Sequence, residues 1–333
     1  MRVLANTLLE KRLKQHKYYQ CPITPGLWRH TWRPIVFWFL FDNFGAKYVG
    51  ERHALQLKTF IEYNYKVIED WKRDLYSGIN IKWDYIKRTY RFTMDDFIAN
   101  LRVRFNHPHA AKPQHSPYKH VPIVYGAKMQ YSAGPNDSTP LNTTWILHVQ
   151  AIVGALLFYE RAIYNKLIVA LSELGQQQSS ATKSTNDAIT QILEYVATYH
   201  VDGIIFRSSG MIMSAQSDAA YLNVRKARSW AGAHIMLSED VPIPSYNGLI
   251  LTISQIIKCV MSSAAEADLA GLYIFAKEIV PLRQALVKMD WPQPQSPIQC
   301  DNSNAIGVDN ETITSRKTKS MNIQFQWLWC RDS

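Results

Sequence analysis

Three acidic residues in the last third of the chain stand where the apolar pattern breaks. Asp218 follows the strand-forming run 211–215, Glu266 lies in the first turn of a long helical stretch, and Asp301 ends a short strand at 297–300. Asn322, in Ser320-Met-Asn-Ile-Gln-Phe325, is a fourth polar position near the last helix. Two strand ends and one helix start can converge on one edge of a sheet. Carboxylates gathered there offer hard oxygen ligands to Mg2+ or Mn2+, and two such ions roughly 4 Å apart stabilise the attacking and leaving oxygens of a phosphoryl displacement. Each residue also has a plain structural role open to it. Asp218 suits a turn, Glu266 completes the capping box Ser263-Ala-Ala-Glu266, and Asp301-Asn302 suits a helix N-cap.

Earlier candidates are of other kinds. Asp42-Asn43 interrupts two strand-forming runs and reads as a turn bearing one carboxylate. His107, His109, His115 and His120 lie in a Pro-rich tract without fixed ligand spacing, which favours a solvated connection over a metal site. Lys66, Lys72, Arg73, Lys82, Lys87, Arg88, Arg91, Arg102 and Arg104, with Tyr85, Tyr90 and Phe92 between them, suit a nucleic-acid backbone and its bases. An ordinary strand pair with a wet basic face has the same composition. No Gly-rich phosphate loop and no GxSxG elbow occurs.

Positioning these residues requires an α+β framework. A short amphipathic helix within 1–20 precedes a strand at 34–41, a polar turn, a strand at 46–49 and a helix over 51–70. A strand pair fills 76–90, and Thr93 opens the next helix as its N-cap. Residues 106–140, rich in Pro, His, Ser, Gly and Asn, form a long connection. Helices follow over 145–164, 167–174 and around Ile189, Ile192, Leu193 and Val196. Short strands at 204–206, 211–215, 234–237 and 249–253 then lead to a helix over 263–289, bent or divided at Pro281.

The residues Ser217-Asp-Ala-Ala-Tyr221, Arg228-Ser-Trp-Ala-Gly232, Ser262-Ser-Ala-Ala-Glu-Ala-Asp268, Lys277-Glu278 with Leu282-Arg283, Asp301-Asn-Ser-Asn-Ala305 and Arg316-Lys-Thr-Lys319 occur in an order that resembles the ribonuclease H domain of copia-type LTR retrotransposon polyproteins. The resemblance implies that Asp218, Glu266 and Asp301 hold two Mg2+ ions, or Mn2+, and that water attacks the RNA strand of an RNA–DNA hybrid. Asn322 stands where that family usually has a fourth carboxylate, so one metal site loses a unit of ligand charge and cleavage is expected to be weak or absent.

Upstream, Ile152-Val-Gly-Ala-Leu-Leu-Phe158 resembles the connection between polymerase and nuclease in the same elements. Thr24-Pro-Gly-Leu-Trp28 and Phe39-Leu-Phe-Asp-Asn-Phe-Gly45 resemble the second half of a reverse transcriptase palm, and the stretch from Tyr76 to the helix at Asp95 resembles its following hairpin and thumb. Asp42 and Asn43 occupy the place of the family's paired catalytic aspartates, and the second is an amide. The resemblance places the chain's start after the fingers and the earlier palm strand, so polymerisation is not expected from this chain alone. The expected organisation is a partial palm at 1–92, thumb and connection helices at 93–200, and a ribonuclease H-like mixed-sheet domain at 201–333. The other reading of the same residues is a catalytically inactive nucleic-acid-binding remnant of a retroelement, or a decayed one.

Composition bounds both readings. A chain of 333 residues, 47% hydrophobic and 12% aromatic, can build two or three cores. A net charge of +10 favours a polyanionic partner. Cys21, Cys259, Cys300 and Cys330 form no CxxC pair, which fits reduced thiols inside a cell. The N-terminus lacks an uninterrupted apolar segment of signal-peptide type, and the longest apolar runs, 34–41 and 149–159, fall short of the roughly 20 residues of a membrane span. The expected setting is an intracellular particle or the nucleus, with no membrane partner.

Overall fold

The computed structural model describes residues 2–40, 43–108, 112–119, 138–224 and 227–309. It is a mixed α+β protein, with three four-stranded sheets among the described residues. Its contacts divide it into two compact units, Met1–Ile81 with Glu278–Gln293, and Lys82–Lys277 with Pro294–Ser333.

In the first unit, α1 (Arg2–Gln15) leads into a sheet of β1 (Tyr18–Gln20), β2 (Leu27–His30), β3 (Ile35–Leu40) and β4 (Asn43–Tyr48), paired in chain order. Helix α2 (Glu51–Glu62) follows. Leu9 and Leu13 of α1 and Leu57 and Ile61 of α2 pack with Tyr18, Trp28, Ile35 and Phe37 into one core. β4 begins at Asn43, paired with Leu40, so Asn43, Phe44 and Gly45, expected in the polar turn, belong to the ladder. Helix α2 ends before the predicted 70. There the Asp70 carboxylate accepts the backbone N–H groups of Arg73, Asp74 and Leu75, which makes a turn of that segment. β5 (Leu75–Tyr76) then passes through Ser77 and Gly78 into β6 (Ile79–Asp84), the strand in which the unit boundary falls. Both turn residues have positive φ, 50° and 81°, the conformation a two-residue hairpin needs.

The second unit continues with β7 (Thr89–Thr93) and α3 (Phe97–Arg104). Thr93 stays in the strand, and Asp96 occupies the N-cap position. Three helices follow: α4 (Thr143–Ile163), α5 (Ile168–Gln177) and α6 (Lys183–Thr198). The Asn142 side chain accepts the Trp145 N–H to start α4, and a Thr182–Thr185 capping box starts α6. Among the described residues α4 is the one helix long and apolar enough to cross a membrane, because its few polar residues leave the average high. Its Val149, Ile152, Val153, Leu156 and Ile163 are buried within the protein. β8 (Ile204–Arg207), which the sequence groups with the strands after it, pairs antiparallel with β7, Tyr90 opposite Phe206.

The sheet that positions the candidate site is made of β9 (Ile212–Val224), β10 (Arg228–Ser238), β11 (Leu249–Ile256) and β12 (Ile298–Cys300), in the order β11-β10-β9-β12. β10 is antiparallel to both its neighbours, and β12 is parallel to β9. A parallel neighbour demands a crossover, and α7 (Ala264–Lys288) supplies it. Gly271 in α7 faces Ala231 of β10, where a Cβ would stand 3.8 Å from the alanine methyl. Small residues on both sides bring helix and sheet together. Pro281 lies inside α7, which continues through it, so the helix is not divided there. α8 (Ser303–Asp309) closes the described chain.

Glu278–Gln293, the C-terminal part of α7 and the short stretch after it, belong to the first unit. Met289 packs on Cys21, Leu27 and Val36. Arg29 pairs with Asp290 at 3.0 Å, and Lys47 donates to the Met289 carbonyl at 2.8 Å.

Candidate metal centre

The parallel pairing of β9 and β12 fixes the geometry. Cys300 is in register with Ser217, so the next residue of each chain segment, Asp301 and Asp218, leaves from corresponding points. β9 runs on to Val224, and Asp218 therefore lies within a strand opposite Gly232, not after a strand end at 215 as the sequence suggests. The small residues of this stretch, Ala215, Ser217, Ala219 and Ala220, carry little apolar alternation, yet the long ladder with β10 holds them extended. Asp218 and Asp301 are both exposed.

Helix α7 contributes the third carboxylate from Asp268. This side chain is 5% exposed, and Asn302 donates its amide N–H to Oδ2 at 2.7 Å. Its other oxygen, Oδ1, is buried without a hydrogen-bond partner. Burial raises the Asp268 carboxyl above the ordinary aspartate range; the Asn302 bond opposes that, the negative charges of Asp218 and Asp301 reinforce it, and the Ala219 N–H opposes it. The two exposed aspartates thus act on the buried one. Ligand atoms of Asp268, Cys300 and Asp301 all lie within 4.8 Å of one another.

Asn302 holds the cluster's lower edge. Its Oδ1 accepts the Ala305 N–H, capping α8, while its Nδ2 binds Asp268. The N-cap role open to Asp301-Asn302 thus falls to the asparagine, and Asp301 is left to the rim. Cys300 is half-buried, and its thiol is pushed up by burial, pulled down by the Asn302 backbone N–H, and pushed up again by Asp268 and Asp301.

Glu266 is placed differently. It is buried, and its Oε2 accepts both the backbone N–H and the hydroxyl of Ser262, at 2.8 and 2.7 Å. Ser263 Oγ in turn accepts the Glu266 N–H at 3.2 Å. These bonds close the first turn of α7. Residues two apart on a helix do not share a face, so only one of Glu266 and Asp268 can meet β9 and β12. The structure brings Asp218, Asp268 and Asp301 into one electrostatic group and gives Glu266 to the helix start.

The remaining candidates are dispersed. Asn43 is exposed at the head of β4. Asp42, Asn322, His109 and His120 lie outside the described residues. His115 contacts the Tyr199 hydroxyl at 2.7 Å, and burial lowers the proton affinity of His107. The basic–aromatic strand pair presents a ledge in which Trp83 and Tyr85 stack at 6.0 Å with planes 10° apart, 41% and 72% exposed. Lys87 and Arg88 are exposed beside it, Lys87 at 3.6 Å from Asp84.

Asp268 and Cys300 enter the site only through the fold. The available signal was the second acidic residue of Glu266-Ala-Asp268, which lies about 200° around the helix from the first. Comparison with models of known protein families and with curated proteins found no match.

Proposed function

We propose that the second unit carries a ribonuclease H-type site that hydrolyses the RNA strand of an RNA–DNA hybrid with Mg2+ or Mn2+, in a chain of copia-type retrotransposon polyprotein ancestry. The observation that carries the reading is the gathering of the Asp268 and Asp301 side chains where β12 ends beside β9, with Asp218 one residue past the last position of β9 paired with β12. The sheet order β11-β10-β9-β12, with one parallel strand delivered by a crossover helix, supports it as the arrangement expected of such a core. The partial palm and thumb belong to the same proposal and rest on the sequence resemblance.

The residues present fit divalent cations. Asp268 offers a buried oxygen that has no partner, and Asp301 and Asp218 offer solvent-facing carboxylates. Bound there, the ions would supply Lewis acidity for water attack on the phosphodiester and for departure of the leaving oxygen. Asn302 fixes the Asp268 carboxylate by its amide and is itself fixed by capping α8. The Trp83–Tyr85 ledge suits stacking against bases or sugars, with Lys87 and Arg88 on phosphates.

The second reading, a catalytically inactive nucleic-acid-binding remnant, is favoured by the amides Asn43 and Asn322 at positions where the resemblance expects carboxylates. Hybrid cleavage with labelled RNA in Mg2+ or Mn2+ separates the two. Under the nuclease reading, Asp301→Asn and Asp268→Asn each reduce cleavage by at least about 100-fold, equivalent to about 2.7 kcal/mol. Cleavage that survives both substitutions unchanged would overturn the site. Salt-sensitive hybrid binding without cleavage would establish the second reading.

A further inference from the structure

The nuclease reading uses the carboxylates and leaves the thiol of Cys300 without a role. We propose that Asp268, Cys300 and Asp301 form a mixed sulfur–oxygen site for a thiophilic divalent cation of the Zn2+ class. Its competition with Mg2+ or Mn2+ rests on the nuclease reading; the binding itself does not.

Three observations support the site. Its ligand atoms from two segments of the fold, α7 and the end of β12, already lie within 4.8 Å of one another. A tetrahedral zinc centre with Zn–S of about 2.3 Å and Zn–O of about 2.0 Å sets such atoms about 3.5 Å apart, a contraction that side-chain rotation can make. Next, Asp268 is 5% exposed with Oδ1 lacking any partner, and such a buried oxygen is costly unless a cation or donor reaches it. Finally, no described Lys or Arg forms an ion pair with Asp268 or Asp301. The local negative charge is therefore not balanced by a described side-chain ion pair.

Ligand softness sets the choice of ion. Mg2+ takes oxygen ligands, whereas a thiolate favours Zn2+ and its analogues. On binding, the Cys300 S–H bond breaks, its proton passes to solvent, and the sulfur electron pair forms the bond to the cation. Water completes the fourth position, and Asp301, on the exposed side, leaves an entry path.

Co2+ titration of the full-length chain tests the site without any assay of activity, with Co2+ standing in for Zn2+. The expected result is a near-ultraviolet thiolate-to-cobalt charge-transfer band that Zn2+ abolishes and equimolar Mg2+ does not. Cys300→Ser should remove the band and weaken Zn2+ binding by more than about tenfold, with the circular dichroism of the folded chain retained. Asp268→Asn provides a second variant that keeps the thiol and should weaken the band's titration. A band that persists in Cys300→Ser, or cobalt binding through oxygen alone, would overturn the proposal. Since the spectrum needs no substrate, a chain that fails to cleave hybrid still gives the expected or the overturning result. A chain that cleaves with Mg2+ but shows no thiolate band retains the nuclease reading and loses this one.

Discussion

Glu160 sits in α4 at 2% exposure, with Oε2 buried and unpartnered. Burial raises its carboxyl from the ordinary 4.5 to about 7, with Arg161 acting weakly against the shift. The folded chain therefore holds this proton more tightly than the unfolded chain does. Stability should be greatest below about pH 4.5 as far as this group is concerned, fall as pH rises, and level off above about 7. Glu160→Gln should flatten that slope and raise stability at pH 8 by about 2–3 kcal/mol, as read from urea unfolding at several pH values. Hydrogen bonding, and not burial, separates Asp268 from Glu266. Both are buried acids within one helical turn, and the sequence shows both. Which one faces β9 and β12 depends on helix phase, and phase is set by packing such as Gly271 on Ala231, which periodicity in one strand of sequence does not reveal.

Elements were legible where the apolar stripe is strong, as in α4 and α6, whose starting caps Asn142 and Thr182 emerge only in the structure. β9 was half-legible, because its later residues are small or polar and stay extended through pairing with β10. β8 was visible as a strand, but its partner β7 lies more than a hundred residues earlier, and no local pattern encodes that choice. Gly203 explains how the two strands approach: a Cβ there would stand 2.2 Å from the Phe92 carbonyl oxygen. Gly203→Ala should therefore cost about 1–3 kcal/mol by forcing β8 away from β7. Gly154, exposed in α4 with nothing near its would-be Cβ, should respond oppositely. Gly154→Ala is expected to add about 0.5–1 kcal/mol through helix propensity. Thermal unfolding of the two variants beside the parent checks both signs.

At the scale of the whole molecule, the proposed binding to hybrid duplex should, with a charge of +10, weaken steeply with salt. The contribution of the ledge can be separated from the general field. Arg88→Ala should lower the slope of log affinity against log salt by about 1, and Tyr85→Ala should weaken binding by about 1–3 kcal/mol with little change of slope. Fluorescence anisotropy across a salt series measures both, and unchanged binding in the two variants would remove the ledge from the interface. Composition could indicate a polyanion, but it could not assign charge to a ledge, since that depends on which strand faces water.

Met289 closes a patch formed by Cys21, Leu27 and Val36, although some 250 residues of chain separate it from them. During synthesis at about 5–20 residues per second, that patch waits on the order of tens of seconds for its cover to leave the ribosome. The nascent first unit is thus sticky for longer than the folding of its own strands requires, and it is a natural client for a chaperone that holds apolar surface.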